Sequence, residues 1–285
     1  MLRECLEYLG LRPDGIYLDA TCGMGGHTQA IARELTTGFV VSCDRDQESL
    51  DLAQENAHLN IGESAERIRF RQATFSRLAE ALSAEGLTLV DGLLADLGVS
   101  KYQLTSSERG FSLMTDGALD MRMDRGQERS ASDIVNYQSE KDLADLIYQL
   151  GEERRSRRIA RAIVRARPIH TTGQLAKLIE KAVPRTGPMH PATQTFMALR
   201  IAVNEENEEL EALLAAIPAL VKPGGRVVVL TFMSLEDRRV KQGFQALAKQ
   251  GLANILTRHV VRPAEDEIRD NPPSRSAKLR ALEIL

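Results

Sequence analysis

The sequence predicts an α/β protein: a mostly parallel sheet whose strands alternate with helices, interrupted by a helical insert. Three observations carry that prediction. From Gly15 to Leu97 short β-branched runs alternate with runs of helical spacing, the pattern of right-handed crossover units. From about Gln103 to about Pro191 strand-like runs stop and helical spacing takes over. Beyond Pro191 the alternation resumes and reaches another β-branched run.

Each element has its own signal. Residues 15–20 read as a buried strand closed by glycines, and 28–35 as a helix that Gly38 ends as a C-terminal cap. Residues 39–44 form a second strand, 47–59 a helix, 67–72 a third strand and 75–84 another helix. Residues 87–97 supply the fourth strand. A polar loop over 105–126 is followed by helical patterns at 131–135, 140–150, 152–165 and 173–183. One helix is expected over 192–220, then a Gly224-Gly225 turn into a strand over 226–232, and a last strand over 279–285. The expected organisation is a discontinuous sheet domain, 1–102 with 192–285, around an insert of 103–191.

Composition narrows the class. The chain has 285 residues, 43% hydrophobic and 27% charged, enough for a sizeable core at roughly 150 residues per domain. No apolar run approaches the roughly 18 residues a membrane span needs. Arg3, Glu4 and Glu7 interrupt any secretory-signal pattern at the start. Cys5, Cys22 and Cys43 form neither a CxxC pair nor a disulfide lattice, and no His/Cys cluster has metal-ligand spacing. A cytoplasmic protein with reduced thiols, no membrane partner and no metal is expected. The net charge of −3 points away from nucleic acid only as an average, because binding depends on local charge.

The chemistry begins at Asp19-Ala20-Thr21-Cys22-Gly23-Met24-Gly25-Gly26-His27, between the first strand and the first helix. A glycine turn there lets backbone approach a ligand, and the helix N-terminus offers unpaired N–H groups. Asp44 ends the second strand, where a carboxylate accepts the hydroxyls of an adenosine ribose. Nicotinamide cofactors and S-adenosylmethionine share that arrangement, and three details separate them. His27 and Thr28 break the third glycine of the nicotinamide fingerprint. Asp19, ahead of the glycines, resembles motif I of class I methyltransferases. Val221-Lys222-Pro223-Gly224-Gly225-Arg226 looks like the turn into the fifth strand of that fold. Asp96 ends the fourth strand, either as a carboxylate facing cofactor and acceptor or as a loop cap.

Several blocks then make the likeness specific: Gly25-Gly26-His27, Cys43-Asp44-Arg45-Asp46, Asp96-Leu97-Gly98-Val99-Ser100, Glu108-Arg109-Gly110-Phe111-Ser112, Leu119-Asp120-Met121-Arg122-Met123-Asp124, His190-Pro191-Ala192-Thr193 and Ser234-Leu235-Glu236-Asp237-Arg238. In order and spacing the chain resembles the MraW family of ribosomal RNA methyltransferases over nearly its whole length. The resemblance implies a class I, Rossmann-like fold, S-adenosylmethionine as cofactor, and methylation of the exocyclic N(4) of a cytidine in the decoding region of 16S rRNA. The small ribosomal subunit is the implied partner. Gly23, Gly25, Gly26, His27, Asp44, Phe75, Asp96 and Gln103 become the expected cofactor contacts, with Asp96 also the catalytic candidate. His27 would bond the methionine carboxylate or cap its helix, and Phe75 would pack on the adenine. The chain departs from the family at its start, where a His-x-Pro-Val-Leu stretch is usual, at Met233, where His is common, and in a shortened 251–273 segment.

The insert carries the expected RNA contacts. Residues 152–167 hold seven Arg against two Glu. Arg154, Arg158, Arg161 and Arg165 share one helical face, with Ile159, Ile163 and Ala166 on another. Phosphate contact is expected there, with a solvated charged face as the alternative, and His190 is also expected among the RNA contacts. The acidic stretch 205–211 reads as a solvated face. Asn271-Pro272-Pro273-Ser274 mimics an amino-methyltransferase motif but follows the wrong strand and lacks the stacking aromatic. Two other readings of the whole chain are a non-catalytic, cofactor-binding RNA assembly factor and a nicotinamide-dependent oxidoreductase.

Overall fold

A computed structural model describes residues 1–185 and 187–285. The chain opens with helix α1 (Leu2–Leu9), strand β1 (Ile16–Asp19), helix α2 (Gly26–Glu34) and strand β2 (Phe39–Asp44). Helix α3 (Gln47–Ile61), strand β3 (Ile68–Gln72), helix α4 (Leu78–Ser83) and strand β4 (Val90–Asp96) follow. Six helices come next: α5 (Lys101–Thr105), α6 (Ala131–Tyr137), α7 (Glu140–Gly151), α8 (Ser156–Ala166), α9 (Thr172–Ala182) and α10 (Thr193–Asn204). The chain closes with α11 (Glu206–Leu220), β5 (Val221–Thr231), α12 (Ser234–Lys249), β6 (Ala253–Ile255), α13 (Glu265–Asp270) and β7 (Lys278–Ile284).

Two compact units result, one of Met1–Val99 with Asn207–Leu285 and the other of Ser100–Glu206. Helix α10, expected with the sheet, therefore belongs to the helical unit. Its Asn204 amide is buried there, donating to the Met121 carbonyl at 2.7 Å and accepting the Met123 N–H at 2.7 Å. The expected helix over 192–220 is two helices, because Glu205 takes a left-handed turn at φ 49°.

The sheet unit has seven strands in the order β3-β2-β1-β4-β5-β7-β6. Strands β1 to β5 pair in parallel, and β7 runs antiparallel to both β5 and β6. Alternating residues go to opposite faces, and both faces are buried, as helix-covered parallel sheets require. Leu18, Val41, Leu93 and Val227 pack on one face, and Tyr17, Val40, Leu94 and Val228 on the other. The order reverses between β2-β1 and β4-β5, so ligands belong beyond the carboxyl ends of β1 and β4.

Gly38 is not a helix cap. Leu35 ends α2 in an extended conformation. A Cβ on Gly38 would collide with the Gly15 carbonyl, so Gly38 permits a close crossing of two chain segments. No helix among the described residues is long and apolar enough to cross a membrane.

In the helical unit the blocks at Arg109 and Met121 fold on each other. The Arg109 guanidinium is buried and donates to the carbonyls of Arg122 and Met123 at 2.9 Å each. The Met121 N–H returns to the Arg109 carbonyl at 3.0 Å. A guanidinium with five donors satisfies several backbone acceptors at once, which an irregular loop of this length needs.

Candidate active site at the strand ends

The loop after β1 is shaped by its glycines and by a buried acid. Gly23 and Gly25 lie at φ 50° and 83°, where a side chain would be strained. Gly25 is the N-cap of α2. Gly26 is exposed, and a Cβ built on it would meet nothing within 4 Å, so the front of the helix is an open cradle. Asp19 does not face that cradle. It is wholly buried and accepts the Thr21 N–H at 3.1 Å and the Thr28 hydroxyl at 2.6 Å, making it a brace for the loop.

Asp44 reaches across from β2. One carboxylate oxygen accepts the Gly23 N–H at 2.8 Å and the other the Asp46 N–H at 2.9 Å. A carboxylate has about four acceptor positions, so two remain for a diol. Burial pushes its pKa up to about 6, against the lowering effect of the two backbone bonds. Asp46 then caps α3, accepting the Glu48 N–H at 3.2 Å.

Asp96 ends β4 opposite the cradle. Its Oδ2 lies 3.6 Å from His27 Nδ1, an ion-pair distance rather than a hydrogen bond. Its Oδ1 and His27 Nε2 are both buried and without a hydrogen-bond partner. Two such groups side by side are costly unless a ligand pairs with them. Burial raises Asp96 to about 6, with His27 pulling it back. Burial lowers His27, with Asp96 opposing. At neutral pH the pair is therefore a carboxylate beside a neutral imidazole. The donor set suits S-adenosylmethionine: a diol acceptor, an open glycine turn, and two unpartnered polar atoms beside it.

The other expected residues divide. Phe75 begins a short 3-10 turn after β3 and packs half-buried against the sheet core. Glu209 anchors that turn, accepting the Ser76 N–H and hydroxyl at 2.9 Å each. Glu206 pairs with Arg200 and Glu211 with Arg239. The acidic stretch is thus a set of anchors, not a plain solvated face. Gln103 lies in the helical unit and is buried in a capping box with Ser100, its Oε1 accepting the Ser100 N–H at 3.0 Å. His190 Nδ1 accepts the Ala192 N–H at 3.1 Å just ahead of α10.

Only three of the four arginines expected on one helix are on it. Glu152 takes a left-handed turn at φ 54°, so α8 starts at Ser156 and Arg154 lies in the preceding turn. Arg154, Arg157, Arg158, Arg161 and Arg165 are exposed. Arg161 reaches Glu140 at 3.2 Å, both side chains being largely in solvent. Arg155 is held by Glu153 at 3.0 Å, and Arg167 donates to the carbonyls of Val135 and Gln138 at 2.7 Å each, so these two serve the fold. The apolar face is Ile159, Ala160 and Ile163, whereas Ala166 is exposed.

All three cysteines are free and buried, and burial pushes every thiol up, which leaves none as a nucleophile. Asn271 donates to Glu267 at 3.1 Å on an exposed turn, away from any role as an amine clamp. Thr21, which the sequence does not single out, accepts the Asp96 backbone N–H at 2.6 Å.

Comparison with known proteins gives a consistent picture. A family model described as the MraW methylase family matches residues 1–285. The chain is 57% identical over 284 residues to ribosomal RNA small subunit methyltransferase H of Solibacter usitatus, covering 100% of this chain and 98% of that protein. It is 46% identical over 289 residues to the protein of the same name from Acidobacterium capsulatum, covering 99% and 96%. Among solved structures, a candidate rRNA methylase from Clostridium thermocellum matches with a TM-score of 0.50 at 11% identity, over 99% of this chain and 96% of that one. At that identity the match speaks for a shared fold alone.

Proposed function

The chain belongs to the MraW methylase family, and on that premise we propose that it transfers a methyl group from S-adenosylmethionine to the exocyclic N(4) of a cytidine in the decoding region of 16S rRNA. One observation carries the assignment of roles: a buried, unpartnered carboxylate oxygen on Asp96 beside an open glycine cradle. The cofactor, when bound, supplies an electrophilic methyl group on a sulfonium.

The chain's own residues bind, orient and accept. Asp44 takes the ribose hydroxyls, Gly23, Gly25 and Gly26 let backbone come close, and Phe75 packs against the adenine. His27, neutral, offers Nε2 to the methionine end. Asp96 is the catalytic residue. A cytosine amine is a poor nucleophile because its lone pair is delocalised into the ring. A carboxylate accepting its N–H draws density onto nitrogen and meets the positive charge that develops there. No covalent attack on the ring is required, since the thiols are buried and protonated. Direct displacement with the amine held about 3–3.5 Å from the methyl carbon gains most from positioning.

The helical unit supplies the RNA contacts in this reading. Arg154, Arg158, Arg161 and Arg165 meet phosphates, with His190 nearby in sequence to the helix that follows them. The target base must leave its stack, at a cost of a few kcal/mol unless it is already unpaired. The small ribosomal subunit, in the cytoplasm, is the setting proposed for the reaction.

The test combines binding with transfer. Calorimetric titration should give saturable binding of S-adenosylmethionine and none of NAD. Methyl-labelled cofactor should then label unmethylated 16S rRNA. Binding of NAD alone, or cofactor binding without any label in the RNA, would sink the assignment.

A further inference from the structure

We propose that Thr21 is a positioning residue for the transfer step: its hydroxyl stands in for a missing strand partner and fixes the backbone of Asp96. The argument starts from the ladder. Strand β1 pairs with β4 up to Asp19 opposite Leu94, and the Ala20 N–H closes that edge on the Leu94 carbonyl at 2.8 Å. On its other side β4 stays paired with β5 through Asp96, opposite Leu230. The Asp96 N–H therefore extends past the last residue β1 can offer. It donates instead to Thr21 Oγ1, at 2.6 Å.

The acceptor is itself held. The Thr21 N–H donates to Asp19 Oδ1 at 3.1 Å, and the Thr21 hydroxyl lies 3.5 Å from the same oxygen. Directing the hydroxyl proton at Asp19 leaves the oxygen lone pairs for Asp96. Asp19 is fixed in turn by the Thr28 hydroxyl at 2.6 Å, and Thr28 by Ser42 at 2.6 Å. With its proton committed to Asp19, Thr28 accepts from Ser42. A buried chain thus runs from β2 through α2 and the end of β1 to the backbone of the acceptor carboxylate.

Two buried atoms give this chain its purpose. Asp96 Oδ1 and His27 Nε2 must meet ligand groups with little tolerance, because a shift of about 1 Å costs on the order of 10²-fold in rate. A valine at 21 keeps the volume and removes the acceptor. A serine keeps the hydroxyl and removes only a methyl group.

The inference rests on the reading that Asp96 acts on the methyl acceptor, and the experiment separates the two. Amide hydrogen exchange at Asp96 is measured on the cofactor-free protein, and cofactor affinity and single-turnover methylation on the same preparations. Thr21→Val should speed exchange at Asp96 at least about tenfold and slow transfer about 10- to 100-fold. Cofactor affinity should stay within about threefold, and Thr21→Ser should restore both exchange and rate to near the parent values. Unchanged transfer in Thr21→Val overturns the proposal. So does a parallel loss of cofactor affinity and transfer, or failure of the serine variant to restore them, since either marks a residue that only supports the loop. An Asp96 amide that exchanges freely in the parent protein also overturns it. If that amide is protected through Thr21 while the parent protein methylates no 16S rRNA, the hydrogen-bond chain stands and the proposed function fails.

Discussion

The two units handle charge in opposite ways. In the sheet unit the proposed site carboxylates are partly buried and set on fixed backbone: Asp44 accepts two backbone N–H groups, and the main-chain N–H of Asp96 is fixed by Thr21. In the helical unit the arginines of α8 stand in solvent, and Arg161 pairs there with the exposed Glu140. Buried charge acts on one atom at short range and is hardly screened, whereas exposed charge acts as a field that salt weakens. The proposed function puts precise chemistry with the first arrangement and RNA attraction with the second. A net charge of −3 averages the two and describes neither.

The largest effect should come from the buried side. Asp96→Ala should slow methyl transfer about 10²- to 10³-fold. Cofactor affinity, titrated calorimetrically, should change much less. A variant that transfers at the parent rate would remove Asp96 from the chemistry.

Asp44→Ala should weaken cofactor binding by at least about 10- to 100-fold, since even one hydrogen bond to a charged acceptor contributes about 1.5–3 kcal/mol. Part of that loss comes through the loop, because Asp44 also holds the Gly23 N–H. Equal affinity in the variant would place the ribose elsewhere.

The exposed side should respond to salt instead. Replacing Arg158, Arg161 and Arg165 together by Ala should lower the slope of log K for RNA against log salt by about 2, at roughly 0.7 per phosphate contact on single strands. Cofactor affinity should not move. An unaltered slope would make this a solvated face.

pH separates the units as well. The proposed mechanism needs Asp96 as a carboxylate, and burial raises its pKa to about 6. The rate should therefore fall about tenfold per pH unit below that value and flatten above it. A rate that stays flat down to pH 5 would contradict a carboxylate acceptor at this position.

The smallest effect is on stability. Because the native state holds the Asp96 proton more tightly than the unfolded chain, the charged form is a cost above pH 6 that is relieved as pH falls toward 4. Asp96→Asn should stabilise the protein by about 1–3 kcal/mol at pH 7, and the gain should shrink toward pH 4. Denaturant midpoints at the two pH values check the sign.

Much of the sheet was legible because buried parallel strands leave a period and a composition that helices do not share. Strands β1 to β4, the glycine turn, Asp44 and Asp96 follow from that pattern. What escaped is what depends on a single residue's backbone or on contacts distant in sequence. Glu205 splits one expected helix, and Glu152 delays α8 so that Arg154 leaves its face. Strand β6 is too short to show a period, and α1 buries only Cys5 and Leu9. Thr21 was hidden for another reason: a threonine in a glycine loop gives no sign that a strand end will need its hydroxyl. The same holds for Glu209, whose anchoring of the Phe75 turn joins residues far apart in the chain.

The most direct test is nucleoside analysis of 16S rRNA after reaction. Unmethylated small subunits and free 16S rRNA are each incubated with methyl-labelled S-adenosylmethionine and either the parent protein or Asp96→Ala. Digestion and mass spectrometry then identify the labelled nucleoside. The account predicts label in N(4)-methylcytidine with the parent protein and its loss with the variant. Label on another base, or equal labelling by both proteins, would contradict it.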